Sequence, residues 1–406
     1  MNVLVYPPVH GYGLATLFNS VAPFMPAQGV NWELAPSDNK FELAQLYSFP
    51  EMYSSFQNLL AAQHAGLRTA AMAVYWNPTR FYTQGLPLGD LPDAAEDSKS
   101  AEIRAAMFDI EKQLARAIYR ACDVVIAQSP SEADGLAEDF GIARERIVVS
   151  YVGAEPRYAD ASPELFQKKY GLRDFVLCVG RVDPNKNQLS LIRALKDEKL
   201  TLVLAGGSIA PPYLEQCRAS AGANVHFLPS LTDEELKSAY AAARVHALAS
   251  WLEVVGFVTL EAAVAGCNVV LSRYHGGRDY VGEQGWYCDP ADLDSIRRAV
   301  LDAYHAPRQT ALRDYLLKTF TWEKHAQGIR AAYDRALQLP PRCDDADVRA
   351  NLEQATRALV TLVPLLEQSR AALWREKAEA EKTLNAYANG RVMRWLDRLH
   401  TVRNER

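Results

Sequence analysis

Short apolar runs, each followed by a stretch with helical spacing, recur from Val3 to Leu271 and leave few folds open to this chain. The runs cover residues 3–6, 32–35, 43–47, 69–75, 124–127 and 147–149, then 175–179, 201–205, 225–228, 246–249 and 268–271. Most are apolar on consecutive rather than alternate positions, the mark of strands buried on both faces. Between them, Ile103, Ala106, Met107, Ile110, Leu114 and Ile118 fall on one helical face. Residues 189–195 sit on another helix, and more are expected to begin near Asp233, Thr259 and Asp292. Strands that alternate with helices build a parallel sheet covered on both sides. A chain of 406 residues is too long for one ordinary core, so the two sets of strands read as two doubly wound α/β domains. The polar stretch 157–170 between them reads as the hinge. Such folds bind ligands at the carboxyl ends of their strands, so the expected site is a cleft between the two domains.

Composition narrows the partners. Net charge is -5, and nothing in that balance suggests nucleic acid. The N-terminal run is broken by Pro7 and Pro8 and lacks the basic segment and long apolar core of a secretory leader. No window holds the roughly 20 apolar residues of a membrane-spanning helix. Cys122, Cys178, Cys217, Cys267, Cys288 and Cys343 are scattered without Cys-x-x-Cys spacing, so they read as buried apolar residues of a reducing compartment. The expected location is the cytoplasm.

After Pro340-Pro341 the pattern changes. Val348, Leu352, Ala355, Leu359, Leu362, Leu366 and Leu373 form a heptad-like stripe that Pro364 interrupts. A short basic amphipathic segment over 391–399 carries Arg391, Arg394, Trp395 and Arg398. Residues 348–399 are thus expected to pack on the body, to self-associate, or to touch an anionic membrane surface.

The chemistry gathers in the second half. The run 175–179 leads into Gly180-Arg181-Val182-Asp183-Pro184-Asn185-Lys186, which puts two cations at a strand's carboxyl end. Arg offers a planar fork and Lys a compact charge, a pairing suited to a diphosphate, although such a pair in a loop is often merely solvated. Glu253 and Glu261 lie eight apart around Gly256, the first on a loop and the second inside a helix. Gly256 lets the backbone approach closely, amides at the helix start meet anionic or hydroxyl oxygens, and a carboxylate so placed can take a ribose diol. The alternative is two solvated glutamates beside an ordinary helix start.

Taken together these segments resemble the second domain of the retaining family-4 glycosyltransferases, which have the GT-B fold of two Rossmann-like domains. Residues 175–186 look like that family's strand-Gly-Arg-x4-Lys element, and 253–261 have its Glu-x7-Glu spacing. Residues 224–250, Gly276-Gly277 and Tyr287-Cys288-Asp289-Pro290 continue the pattern, and Thr321-Trp322-Glu323 resembles the start of the helix that returns to the first domain. Asp123 to Glu132, with its Ser-x-x-Glu, is a looser match in the first half. The resemblance implies an N-terminal domain over 1–160 and a nucleotide-sugar domain over 161–322. A returning helix over 323–340 and a helical basic tail over 341–406 would follow.

It also implies sugar transfer from a nucleotide-sugar donor to a glycan or lipid-linked acceptor, with retention and without metal or further cofactor. Such an enzyme would be peripheral to the inner membrane face at most. Arg181 and Lys186 would hold the diphosphate, Glu253 with Gly256 and Phe257 the sugar, and Glu261 the ribose. Gly11 and Gly13 would leave room near the diphosphate. The competing expectation is an inactive GT-B scaffold that binds nucleotide sugar and recruits partners through its C-terminal helix.

One departure stands out. Many members of that family carry a His after the fourth strand, whereas this chain reads Val74-Tyr75-Trp76-Asn77-Pro78. Either Asn77 takes over that contact or the donor sugar differs around C6, with Trp76 packing against a 6-deoxy sugar. A dinucleotide fingerprint after the first strand fails because Thr16 stands at its third glycine. Asp292-x-Asp294 could suggest a metal pair, but it opens a helix and reads as an N-cap.

Overall fold

All eleven apolar runs become strands, and a twelfth that periodicity did not single out, Trp286–Cys288, joins them. The computed structural model describes residues 1–8, 12–34, 39–47, 52–85, 112–208, 210–308 and 310–342, with a few isolated positions after 342. Gly11, Cys343 and nearly all of 343–406, including the heptad stripe and the basic segment, lie outside the described residues.

The first sheet runs β2-β1-β3-β4-β5-β6, formed by Asn2–Tyr6 (β1), Asn31–Glu33 (β2), Leu43–Tyr47 (β3), Arg68–Met72 (β4), Val124–Ala127 (β5) and Ile147–Val149 (β6). The second runs β12-β11-β10-β7-β8-β9. It is formed by Val176–Val179 (β7), Leu202–Ala205 (β8), Val225–Leu228 (β9), Val245–Leu248 (β10), Asn268–Ser272 (β11) and Trp286–Cys288 (β12). Every ladder in both sheets is parallel. In the second sheet the order reverses between β7 and β10. In a sheet of this kind the reversal point, at the carboxyl ends of the strands, is where ligands bind.

Burial on both faces explains the consecutive apolar runs. Leu177 and Val179 of β7 join a core cluster on one face, while Val176 and Cys178 join a second cluster on the other. Each fully buried Val or Leu contributes about 1.5–3 kcal/mol, so neither face tolerates a polar substitution easily. Cys122, Cys178, Cys217, Cys267 and Cys288 are free, buried thiols.

Residues 157–170 are not a free linker. Tyr158 and Phe166 are fully buried, Glu164–Tyr170 is a helix, and Phe166 N donates to Ser238 Oγ of the helix Asp233–Ala242 at 2.9 Å. The apolar pair Tyr158 and Phe166 ties this stretch to the second sheet's helices, a signal masked by its polar neighbours. The crossing lies just before it, where the outgoing chain meets the returning one. Ala154 N donates to Phe320 O at 2.9 Å, and Trp322 Nε1 donates to Glu155 Oε1 at 2.8 Å. A methyl group at Gly153 would sit 2.5 Å from the Trp322 amide, so only glycine lets the two chains pass this closely.

Thr321 caps the helix Trp322–Gln338 by accepting from Lys324 N. This helix lies on the first sheet. Trp32 Nε1 donates to Tyr333 Oη at 3.0 Å, and Arg68 Nη2 donates to Leu339 O at 2.6 Å. Both sheets belong to one compact unit within Met1–Ala95 and Leu114–Arg349. Among the described residues no helix is long and apolar enough to cross a membrane.

Candidate functional site

The loop after β7 is built by its own sequence. Asp183 sits at the N-cap of the turn Pro184–Lys186, its carboxylate accepting from Lys186 N at 3.1 Å, with Pro184 preset for the first position. Two asparagines then stitch this loop to the one after β10. Asn185 Nδ2 donates to Leu252 O at 3.1 Å while its Oδ1 accepts from Leu252 N at 2.9 Å. Asn187 Nδ2 donates to Ala249 O at 3.1 Å and Pro290 O at 2.9 Å. The outcome is an ion pair between Lys186 Nζ and Glu253, both largely buried. Arg181 stands beside it, half-exposed, with Nε 3.5 Å from Asp183 Oδ2.

Gly256 precedes the helix Phe257–Val264 with φ of 71°, a left-handed conformation natural to glycine. It offers no capping side chain, so the helix start presents backbone alone. The ring of His275 is packed against it: a methyl group at Gly256 would lie 2.5 Å from His275 Cε1. Gly276 approaches the same loop so closely that a methyl group there would fall 1.8 Å from Val254 O. Glu261 follows one turn into the helix and accepts from Tyr240 Oη at 3.0 Å.

Burial alone would raise the Glu253 carboxyl, but Lys186, with Arg181 as a lesser cation, holds it below its ordinary value. Burial pushes Glu261 up to about 7, against the opposing pull of the Tyr240 hydroxyl and Arg157. Burial raises Asp183 as well, with the Lys186 amide and Arg181 opposing. His275 is pulled down to about 4 and His246 to about 3, both by burial first, so both rings are neutral at physiological pH.

The first domain meets this site from the other side. Gly13, at the start of the helix Tyr12–Val21, faces the Phe257 ring, and a methyl group there would lie 3.9 Å from it. Arg80 Nη2 lies 3.2 Å from Asp289 Oδ1, with its guanidinium 3.7 Å from the Tyr274 ring centre. Ser131 N and Oγ donate to Asp279 Oδ2 at 2.9 and 2.6 Å, which sets a second-domain carboxylate on the first turn of the helix Pro130–Phe140. Tyr280 Oη donates to Gln128 O at 2.6 Å and accepts from Val152 N at 2.9 Å.

Arg181, Lys186, Glu253, Gly256, Phe257 and Glu261 thus lie on the loops and helix after β7 and β10, and Gly13 is brought up to Phe257. Asn77 is turned elsewhere: its amide donates to Asp139 at 2.9 and 3.2 Å. Trp76 packs against the core cluster. His275, Arg80 and the Ser131–Asp279 contact escaped the sequence reading, and Asp289 was read there only as part of a motif, without its partner Arg80. The Gly276-Gly277 pair pointed at the first of these, since such crowding needs a neighbour to crowd against. Asp292 is the N-cap it was read to be, accepting from Asp294 N and Ser295 N at 2.9 and 3.1 Å. Among the described residues no group of three or more His, Cys, Asp or Glu is placed to hold a metal ion.

Residues 164–318 match the family profile described as glycosyl transferases group 1. The chain is 26% identical over 251 residues to mannosylfructose-phosphate synthase of Agrobacterium fabrum, covering 55% of each chain. It is 30% identical over 260 residues to a GDP-mannose-dependent alpha-(1-6)-phosphatidylinositol monomannoside mannosyltransferase of Mycolicibacterium smegmatis, covering 57% of this chain and 66% of that one. The matches therefore span only about 55–66% of the length of these relatives. Among solved structures, Anabaena HepE in complex with UDP and glucose superposes with a TM-score of 0.55 at 16% identity, covering 89% of this chain and 99% of that one. That likeness speaks to the fold. The likeness to the glycosyl transferases group 1 thus lies in residues 164–318, and the two parallel six-stranded sheets have the GT-B architecture.

Proposed function

We propose that this chain transfers a sugar from a nucleotide-diphosphate donor to a glycan or lipid-linked acceptor, with retention of anomeric configuration and without a metal. The observation that carries the reading is the Lys186–Glu253 pair with Arg181 beside it, at the point where the second sheet reverses its strand order. In this reading Arg181 and Lys186 take the diphosphate, Glu253 and the backbone at Gly256 and Phe257 take sugar hydroxyls, and Glu261 takes the ribose diol. Gly11 and Gly13 leave the diphosphate room.

The C1–O bond to phosphate breaks with its electron pair going to the leaving oxygen. The acceptor hydroxyl bonds to C1 on the same face, and its proton passes to the departing diphosphate. Charge grows on that diphosphate, and fixed cations beside a helix start stabilise it without having to reorganise. The relatives named above support a sugar donor, and one of them is named for a lipid acceptor. Peripheral membrane contact or self-association through residues 348–399 belongs to the same proposal. Co-sedimentation with anionic vesicles, with and without those residues, tests the first of these.

The test of the main reading is a thermal-shift screen with UDP, GDP, ADP and their common sugar conjugates, on wild type and Glu261→Ala. Stabilisation by one nucleotide that the substitution abolishes is expected, about 2.7 kcal/mol at a hundredfold excess over Kd. No shift with any of them would sink the donor reading and favour the inactive scaffold.

A further inference from the structure

One ammonium cannot fully serve two anions. Lys186 is paired with Glu253, and the function proposed above assigns the same Lys186 to a diphosphate. A donor that draws the ammonium away would leave a carboxylate only 17% exposed without its cation, an expensive state in a low-dielectric site. Something must take its place.

A donor group suited to this lies under the same loop. His275 is 3% exposed, and its Nδ1 accepts from Gly277 N at 2.8 Å. The proton of the neutral ring is therefore on Nε2, and that N–H is buried with no hydrogen-bond partner. A methyl group at Gly256 would lie 2.6 Å from His275 Nε2 and 3.1 Å from Glu253 Cγ, so the ring N–H and the carboxylate's own chain flank one glycine. The ring is also fixed from behind. His275 N donates to Ser272 O at 3.0 Å, Gly276 N donates to Glu253 O at 2.9 Å, and a methyl group at Gly277 would lie 2.7 Å from His275 Nδ1. An imidazole packed between two glycines with its one donor unused costs stability in this state, and a second state that uses the donor would account for its being kept.

We propose that His275 is a positioning residue of the donor site, whose Nε2–H becomes the partner of Glu253 when a bound diphosphate draws Lys186 away. The hand-off keeps Glu253 ionised and aimed at the donor sugar through the step in which Lys186 serves the leaving group. This rests on the reading of the cleft as a donor site, and two substitutions separate the two claims. Asparagine at 275 places its Oδ1 near Nδ1, keeping an acceptor for Gly277 N but offering no donor at Nε2. Glutamine places an amide N–H near Nε2.

His275→Asn should lower kcat by about 10- to 100-fold with donor KM little changed, whereas His275→Gln should keep kcat within about fivefold of wild type. The spectroscopic arm uses protein carrying 15N-histidine. Adding UDP, GDP or ADP to wild type should move the His275 Nε2–H signal to the hydrogen-bonded range, and Lys186→Ala should show that shifted signal with no nucleotide present. This arm also decides the matter if a His275 variant fails to fold. Equal loss of kcat in both His275 variants, or an unmoved signal in Lys186→Ala, overturns the inference alone. A shifted signal in Lys186→Ala with no nucleotide binding to wild type overturns the hand-off together with the donor reading.

Discussion

Glu132 and Glu253 each follow a central strand of one of the two sheets, β5 in the first and β10 in the second, and each is enclosed by protein. Their company differs. Glu132 is 6% exposed and has no ion-pair partner among the described residues, its two oxygens accepting from Tyr75 N at 2.7 Å and Gln128 N at 2.6 Å. Burial raises it to about 8 in spite of those two amides. Glu253 faces Lys186 and is held low. The backbone partners of Glu132 are part of the fold and remain wherever ligands go, so it fastens β4's exit to the helix Pro130–Phe140. The partner of Glu253 is a side-chain ammonium, which under the proposed function a bound diphosphate claims. A buried carboxylate satisfied by backbone is a rivet, and one satisfied by a side-chain cation is poised to exchange.

Breaking the second kind should hurt turnover most. Lys186→Ala is expected to lower kcat by about 10²–10³-fold, the usual effect of removing one group that stabilises transition-state charge. Steady-state kinetics with the donor found by nucleotide screening measures it. A loss of less than about tenfold would mean that Arg181 alone carries the leaving diphosphate.

Breaking the first kind should cost stability and leave donor binding alone. Above pH 8, where Glu132 is ionised, Glu132→Gln turns an amide group toward one of two backbone N–H donors and strands it, a loss of about 1–3 kcal/mol in denaturant unfolding. The pH dependence has a definite sign. With a folded value of about 8 above an unfolded value near 4.5, the folded state keeps a proton that the unfolded chain has lost. Wild-type stability should therefore fall as pH rises through that window, and Glu132→Gln should flatten the slope. Glu261, raised to about 7, contributes with the same sign, so the slopes of the two single variants are measured side by side.

Glu261 sharpens the contrast because it combines a buried environment with a proposed ligand. Its ionised form is the one that accepts from a ribose diol. Nucleotide affinity should then rise between pH 6 and 8 and level off above, changing by up to about tenfold per unit on the acid side. Glu261→Gln should bind about tenfold more weakly and lose the pH dependence. Calorimetric titrations at three pH values would show it, and a slope that survives the substitution would move the titration to another group.

These differences were unevenly legible in the sequence. Sheets and strand identities were readable because strands buried on both faces leave consecutive apolar runs, as at Val124–Ala127. Trp286–Cys288 was missed because an edge strand of three residues, half-buried at Trp286 and Tyr287, has no such run. The placement of Arg181, Lys186, Glu253 and Glu261 follows from residue types at strand ends. What remained hidden was which side chain meets which. Nothing in the spacing says that Asn185 and Asn187 reach residues 67 and 62 positions further on, or that His275 lies beneath Gly256. Such pairings depend on strand order, and β7 and β10 are neighbours only because the second sheet reverses there.

The smallest effect is expected where the two domains meet. Arg80 pairs with Asp289 while stacking on Tyr274, and both charged side chains are partly exposed. An ion pair of that kind is worth about 0–1 kcal/mol, and the ring contact adds about 0.5–1 kcal/mol. Arg80→Ala should then raise donor KM by no more than about two- to fivefold if the contact holds the domains closed over the donor. Salt separates its two parts. Raising ionic strength screens the pair with Asp289 and leaves the stacking, so wild-type KM should climb part of the way toward that of the variant. Arg80→Lys keeps the charge but loses the planar fork, and should fall between the two at low salt. If Arg80→Ala changed nothing while Asp279→Asn raised KM, closure would rest on the carboxylate at the start of the helix Pro130–Phe140. The seam would then follow the rule drawn from Glu132, in which backbone amides hold the structure and exposed side-chain cations only trim it.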